Sequence, residues 1–319
     1  MVVSEGGEDG VRANLMNNGY SQVVAWDQAR GAVGYVGVDG SSAPAWAGVY
    51  NWGDIGEQDM WQALGVGHFQ GSGVDHDGIL LYNVTGTTFA AWTDLNDPSY
   101  GYVSLCHVDG NFMTKSLAQF SNSGYDDVVI YDGNGSVGIV SGTAEYHDVW
   151  HVDDPSSNVW DLVGAGDFGE DASSLVFYNN SNKHVYLWDN QDPTFATWNW
   201  TQTDKGILED GWEIAAIGDF QNDGKDDIVI WQASTGYMFA CEDGDMNNRR
   251  WVGLLDPASW EVASVGDYNG DGHEDLLLRE TTTGWGGLGY WGSANADNWT
   301  DMNARVENNS TSNFGILVS

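Results

Sequence analysis

Residues 217–230, IGDFQNDGKDDIVI, and residues 265–278, VGDYNGDGHEDLLL, align without a gap and carry oxygen-bearing side chains at alternate positions of a turn. In the second copy Asp267, Asn269, Asp271 and Asp275 occupy positions 1, 3, 5 and 9, and Gly272 at position 6 permits the sharp bend that folds such side chains onto one ion. The first copy holds Asp219, Gln221, Asp223 and Asp227 in those places, with Gly224 at the bend. An EF-hand opens the same way but needs a bidentate Glu at position 12 and flanking helices. Position 12 is Ile230 or Leu278 here, and each loop runs into an apolar stretch that reads as a buried strand. The pattern predicts a calcium loop between two β-strands, and it occurs twice.

Weaker copies extend towards the N-terminus. The bend position recurs at Gly19, Gly73, Gly124, Ala172, Gly224 and Gly272, at spacings of 54, 51, 48, 52 and 48 residues. That period suits four short strands with their turns. Trp61, Trp160, Trp212 and Trp260 each precede a loop by seven residues, with Phe112 in the same slot of the third unit; such an aromatic is expected to pack between sheets. A strand is predicted after each loop, over 23–26, 79–82, 128–131, 175–178, 228–231 and 276–278. Turns follow at Thr85-Gly86, Gly133-Asn134-Gly135, Thr235-Gly236 and Thr283-Gly284, with later strands over 186–188, 197–200 and 251–254 and from Trp299.

Four-stranded antiparallel units without helical periodicity bury their faces by radial stacking, so the expected fold is an all-β propeller filling residues 1–319 as one domain. Six blades of about 50 residues are favoured over seven, with Phe314 to Val318 closing the ring beside the N-terminal unit.

The Gly-Asp-Phe/Tyr opening, the Asp/Asn/Gly ligands and the β run resemble the FG-GAP repeat, also called the VCBS-type repeat, of integrin α-subunit propellers and bacterial extracellular proteins. The resemblance implies one structural calcium ion in each of units five and six. The side chains named above would bind it, with Lys225 and His273 adding backbone carbonyls. Unit four keeps Asp167 and Asp171 but has Ser174 in place of the last acid. Unit three has Gln119, Ser121 and Ser123 with Asp127; unit two has His68, Gln70 and Ser72; unit one has Asn14, Met16 and Asn18. These four are expected to be metal-free turns, unit four being the exception to watch.

Against 47 Asp and Glu stand 10 Lys and Arg, a formal charge of -37, which repels nucleic-acid phosphates and anionic membrane surfaces. No apolar run is long enough to span a bilayer, and Met1 is followed by no basic, apolar leader. The chain therefore reads as a monomeric domain excised from a larger secreted or cell-surface protein. Cys106 and Cys241 fall in distant units and are expected to be buried thiols rather than a bridge.

No catalytic residue is assigned: there is no His-Glu-x-x-His, phosphate loop or sialidase box. His147 and His151, four apart on an expected strand, would lie about 13 Å from each other, too far to share a metal. The favoured function is a non-enzymatic, calcium-stabilised adhesion propeller that recognises a glycan or protein ligand at one face, with abundant Trp and Tyr suiting carbohydrate. The alternatives are a polysaccharide lyase or glycosidase on the same scaffold, and a passive spacer of a large surface protein.

Overall fold

The computed structural model describes residues 2–3, 20–27, 32–37, 45–51, 61–69, 77–83, 85–92, 103–108, 113–121, 123–132, 136–142, 146–150, 159–169, 172–192, 194–195, 199–282, 285–307 and 314–316. It is an all-β propeller. After the short β1 (Val2–Val3), the first sheet contains β2 (Val23–Asp27), β3 (Ala32–Gly37) and β4 (Ala45–Asn51). The second contains β5 (Trp61–Gly67), β6 (Gly78–Asn83), β7 (Thr88–Trp92) and β8 (Val103–His107), and the third β9 (Met113–Ala118), β10 (Asp127–Tyr131), β11 (Val137–Val140) and β12 (Tyr146–Trp150). The fourth contains β13 (Trp160–Gly166), β14 (Ser174–Asn179), β15 (His184–Asn190) and β16 (Trp200–Ile207), and the fifth β17 (Glu213–Gly218), β18 (Asp227–Gln232), β19 (Tyr237–Cys241) and β20 (Arg249–Leu254). The sixth contains β21 (Trp260–Gly266), β22 (Asp275–Glu280), β23 (Trp285–Trp291) and β24 (Trp299–Glu307), and β25 (Phe314–Ile316) ends the described chain.

Five sheets have four antiparallel strands, as the repeat predicts. The fifth sheet departs from that plan, because β1 adds a parallel strand against β17, with Val2 opposite Ala216 and Val3 opposite Ile217. In the first sheet β25 pairs antiparallel with β2, Ile316 facing Ala25 and Phe314 facing Asp27. It thereby takes the place that a preceding strand fills in every other sheet.

Alternation along these strands is weak because both faces are covered. Leu276, Leu277 and Leu278 are all buried, as are Ile228, Val229 and Ile230, and such runs need apolar side chains on both sides of the sheet. Each apolar cluster joins two successive sheets. Phe69 and Leu80 meet Val128 and Ile130, Phe120 and Ile139 meet Leu175 and Phe177, and Val176 and Leu187 meet Ile217 and Ile230. Val229 and Met238 meet Leu276 and Trp291. Leu277 and Leu288 meet Val23 of the first sheet. The first strands β5, β13, β17 and β21 each carry a register shift near their start, after Ala63, Leu162, Ile214 and Val262. A bulge at that point sharpens the twist that wedge-shaped stacking requires.

The loops ahead of the second strands are tied together across sheets by reciprocal hydrogen bonds. Glu274 N donates to Asp219 O at 3.1 Å, and Asp219 N donates back to Glu274 Oε2 at 2.8 Å. Asp226 and Asp167 repeat the arrangement at 2.5 and 2.9 Å, and Asp126 and His68 at 2.7 and 2.6 Å. Ser173 plays the part towards Gln119 with its hydroxyl, and Ser21 N bonds to Asp267 O. Glycine precedes position 1 because the neighbouring side chain fills that space. A Cβ on Gly166 would lie 2.8 Å from Asp226 Oδ2, and one on Gly218 would overlap Glu274 Oε2.

Several expectations change. The fourth-sheet strand expected over 197–200 begins only at Trp200 and runs to Ile207, since Gly206 at φ 106 lets it continue past a bulge. Cys241 is buried but Cys106 is only partly so; its thiol donates to the His107 carbonyl at 3.5 Å near the sheet edge, and both cysteines are free. The aromatic slot packs largely within its own sheet: Trp160 meets Phe177, Tyr186 and Trp188 of sheet four with ring centres within 6.2 Å, and borders the apolar cluster that sheets three and four share. Phe112, Gly133–Gly135, Thr283–Gly284, His151 and residues 317–318 lie outside the described residues. No helix among the described residues is long and apolar enough to cross a membrane.

Gly218→Ala should displace the Glu274 carboxylate from Asp219 N and crowd Val265 Cγ1, 2.8 Å from the new methyl. The expected loss is about 1–3 kcal/mol in denaturant melts. An unchanged midpoint would show that the cross-sheet bond carries no stability.

Candidate metal centres

Loop six spans the end of β21 and the start of β22. Its backbone is bent by Gly270 and Gly272, at φ 76 and 85. Asp267 is 1% exposed and turns inward, Oδ1 accepting from Gly270 N at 2.6 Å and Asp271 N at 3.2 Å, and Oδ2 from Gly272 N at 2.9 Å. Asn269 Oδ1 accepts from Asp271 N at 2.8 Å, and Asp271 Oδ1 from His273 N at 2.9 Å. At the start of β22, Asp275 is fully buried. It accepts from Tyr268 N at 3.0 Å, from Ser293 N in the turn after β23 at 2.9 Å, and from Asn269 Nδ2 at 3.3 Å. Burial pushes the Asp275 carboxyl up to about 8, the charges of Asp267 and Asp271 adding to the shift against those hydrogen bonds.

Loop five, between β17 and β18, follows the same plan. Asp219 accepts from the backbone of Gln221, Asp223 and Gly224, and Asp223 Oδ1 from Lys225 N at 3.1 Å. Asp227 Oδ1 accepts from Asp243 N at 3.1 Å and Gln221 Nε2 at 3.5 Å. Asp227 Oδ2 is buried and has no hydrogen-bond partner, in a residue 1% exposed. Burial raises this carboxyl to about 7, even with the Arg250 guanidinium nearby to lower it.

The structure thus gathers the acids of each loop around one turn, but among the described residues no three His, Cys, Asp or Glu side chains converge as a ready metal cage. The Lys225 ammonium reaches Asp243 Oδ2 at 3.1 Å, and His273 Nδ1 lies 3.3 Å from Phe220 O. In loop four Asp167 Oδ1 accepts from Gly169 N, and Ser174 Oγ donates to Asp189 at 2.5 Å. Asn14, Met16, Asn18, Gln70, Ser72 and Asp171 lie outside the described residues.

Two contributors escaped the sequence reading. The turns after the third strands supply Asp243 N and Ser293 N, 16 and 18 residues beyond the acids they bond. Arg250 on β20 lies close enough to Asp227 to act on its charge. Both turns share a left-handed residue, Asp243 and Ser293 at φ 51, each two residues after the end of the third strand, and that shared place is the signal that could have revealed them.

Residues 219–278 match the family described as FG-GAP-like repeat. No curated protein matches the chain. Among solved structures, the crystal structure of BBS1N in complex with ARL6DN, soaked with lead, is 10% identical with a TM-score of 0.48, covering 95% of this chain and 83% of that one. YCF48 bound to D1 peptide is 10% identical with a TM-score of 0.41, covering 88% and 81%. Prolyl oligopeptidase B from Galerina marginata is 10% identical with a TM-score of 0.40, covering 90% and 52%.

The raised carboxyls set a pH dependence. Asp126, in the cross-sheet bond to His68, is pushed up to about 7 by burial first and then by the Asp77 charge. With Asp227 and Asp275 it holds its proton in the folded chain at a pH where the unfolded chain, at about 3.9, has lost it. The native state then binds more protons, so stability falls as pH rises from about 4 to about 8. Melting in chelator across that range should show the decline. Asp126→Asn, which keeps an acceptor for His68 N, should flatten it and add on the order of 1–3 kcal/mol at pH about 8. An unaltered slope would remove Asp126 from the account.

Proposed function

Starting from a β-propeller that carries an FG-GAP-like repeat over residues 219–278, we propose that this chain is a non-enzymatic, extracellular adhesion module stiffened by calcium at loops five and six. The observation that carries the metal reading is Asp227 Oδ2, a buried carboxylate oxygen left without a partner in a loop lined by Asp219 and Asp223. An oxygen-lined turn with an unsatisfied anionic atom is what a hard divalent cation fits. Asp219, Gln221, Asp223, Asp227 and the Lys225 carbonyl would hold one ion; Asp267, Asn269, Asp271, Asp275 and the His273 carbonyl would hold the other. Bound calcium supplies positive charge that offsets the repulsion among these acids and cross-links the ends of successive strands. The weak affinity of such extracellular loops, about 10⁻⁴ to 10⁻³ M, suits a secreted or surface location.

The role is structural, so recognition lies elsewhere on the propeller. The last two strands of sheet five present Tyr237 and Trp251, and the outer strand of sheet six presents Trp299, which are 44%, 49% and 42% exposed. Exposed aromatics of this kind suit a glycan or protein ligand, and an edge-to-face contact between Tyr237 and Trp251 at 5.7 Å holds two of them upright.

Calcium at a hundredfold excess over its dissociation constant should stabilise the fold by about 2.7 kcal/mol. Asp271→Asn keeps an acceptor for His273 N while removing a charge, so it should shrink the calcium-induced rise in Tm and leave the Tm in chelator unchanged or higher. A wild-type Tm that ignores calcium would sink the metal reading. A glycan array probed with and without chelator tests the recognition half separately.

A further inference from the structure

The junction between sheets four and five holds a cation of its own. Arg249 lays its guanidinium over Trp212, 6.0 Å from the ring centre, and Nη2 meets Glu209 Oε2 at 2.8 Å and the Ile207 carbonyl at 3.3 Å. An acid and an indole from the chain entering sheet five clamp a guanidinium from its outermost strand.

The next junction repeats the acid and the indole without the cation. Leu208 N bonds to Lys183 O and Leu255 N to Gly236 O, each at 2.9 Å and each on the left-handed residue of a hairpin turn. Asp256 therefore stands where Glu209 does. Trp212 N then bonds to Glu209 O, and Trp260 N to Asp256 O, so Trp260 matches Trp212. On the outer strands Arg249 pairs with Cys241 and Trp299 with Trp291, after turns in which Asn248 N bonds to Asp245 O and Asn298 N to Asn295 O. Trp299 thus stands in the place of Arg249.

That exchange removes the internal cation and leaves a cavity of about 280 Å³ lined by Leu254, Leu255, Asp256, Trp260, Trp291 and Trp299. Trp260 and Trp299 meet edge to face at 5.4 Å, giving two perpendicular indole walls. Asp256 is the single charged side chain of the lining. Hydrogen bonds from Ser259 Oγ at 2.7 Å and Ala258 N at 3.0 Å orient its carboxylate and hold it below the usual range, and it stays anionic. Three indoles and one fixed carboxylate give the cavity aromatic faces and a negative charge but no cation of its own. They make a good match for a flat organic cation, which aromatic faces and a carboxylate recognise together.

We propose that the cavity between sheets five and six is a binding site for a guanidinium group, an arginine side chain brought by a partner, seated on Trp299 and Trp260 and paired to Asp256. The proposal rests on the reading of the chain as a binding module but not on its calcium, and the formal charge of -37 favours approach of such a ligand.

The test titrates the full chain with Nα-acetyl-arginine methylamide and its neutral isostere Nα-acetyl-citrulline methylamide, by calorimetry and by the indole N–H resonances, in calcium and in chelator. The arginine compound should bind saturably, at least about tenfold more tightly than the citrulline one, with equal affinity in both buffers. Asp256→Asn should weaken binding by about tenfold. Trp299→Arg should abolish it with the fold intact, because the new side chain would fill the site as Arg249 fills its own. Equal affinity for arginine and citrulline, or full binding by Trp299→Arg, would overturn the proposal. The wild-type comparison decides alone if a variant fails to fold. Calcium stabilisation without arginine binding would end this inference and leave the metal reading standing.

Discussion

The reciprocal hydrogen bond between position 1 of one loop and position 8 of the next is the constraint on which the propeller depends. Apolar packing between twisted sheets is non-directional and fixes neither their number nor their register. The paired bonds between Asp219 and Glu274, Asp167 and Asp226, and His68 and Asp126 fix the register at the loop ends of successive sheets. They link residues 55, 59 and 58 apart in sequence, so each joins whole units rather than neighbouring strands. The second strands then start from a defined height, and their buried runs meet at matching depth.

This constraint sets the electrostatic problem that the loops must solve. Placing an acid at position 8 and another at position 9 forces two carboxylates into the same buried corner, as with Asp126 and Asp127 or Asp226 and Asp227. Desolvation raises Asp127 as it raises Asp227, and in a chain of charge -37 no surplus of lysine or arginine is available to neutralise them. Backbone donors and retained protons offset that cost in the folded chain.

The sequence showed what is local and hid what is not. Strands after the loops were readable because three buried positions in a row leave an apolar run, as at 276–278. The bends were readable because Gly224 and Gly272 need left-handed backbone. The cross-sheet bond was hidden, since an acid at position 8 looks like one more surface charge until a sheet some 50 residues away is placed against it. Its trace was nevertheless present: Gly67, Gly166, Gly218 and Gly266 all precede position 1, where the neighbour's side chain leaves no space for a Cβ. The parallel strand Val2–Val3 gave no such trace, because its pairing with Ala216 and Ile217 lies more than two hundred residues away. The ligand set was legible as residue types but not as a cage, since the acids of loops five and six spend their oxygens on backbone amides of their own turn.

Loop three shows what a turn looks like when hydrogen bonds alone satisfy it. Asp127 accepts from Phe120 N, Ser121 N and Gly142 N at 2.7 to 2.8 Å and from the Ser121 hydroxyl at 2.8 Å, so both of its oxygens are engaged. Ser123 contributes a further hydroxyl at 3.0 Å from Ser121. Ser121 at position 3 thus donates a hydroxyl to the position-9 acid at 2.8 Å, where loop five has the amide of Gln221. There Gln221 reaches Asp227 only at 3.5 Å, and Oδ2 stays without a partner. A hydroxyl at position 3 thus completes the hydrogen bonding of the position-9 aspartate that an amide leaves incomplete, while the backbone keeps its bend. Drift of the repeat has therefore changed the chemistry of the loop without loosening the cross-sheet bond: Asp126 still grips His68, and Ser173 still grips Gln119.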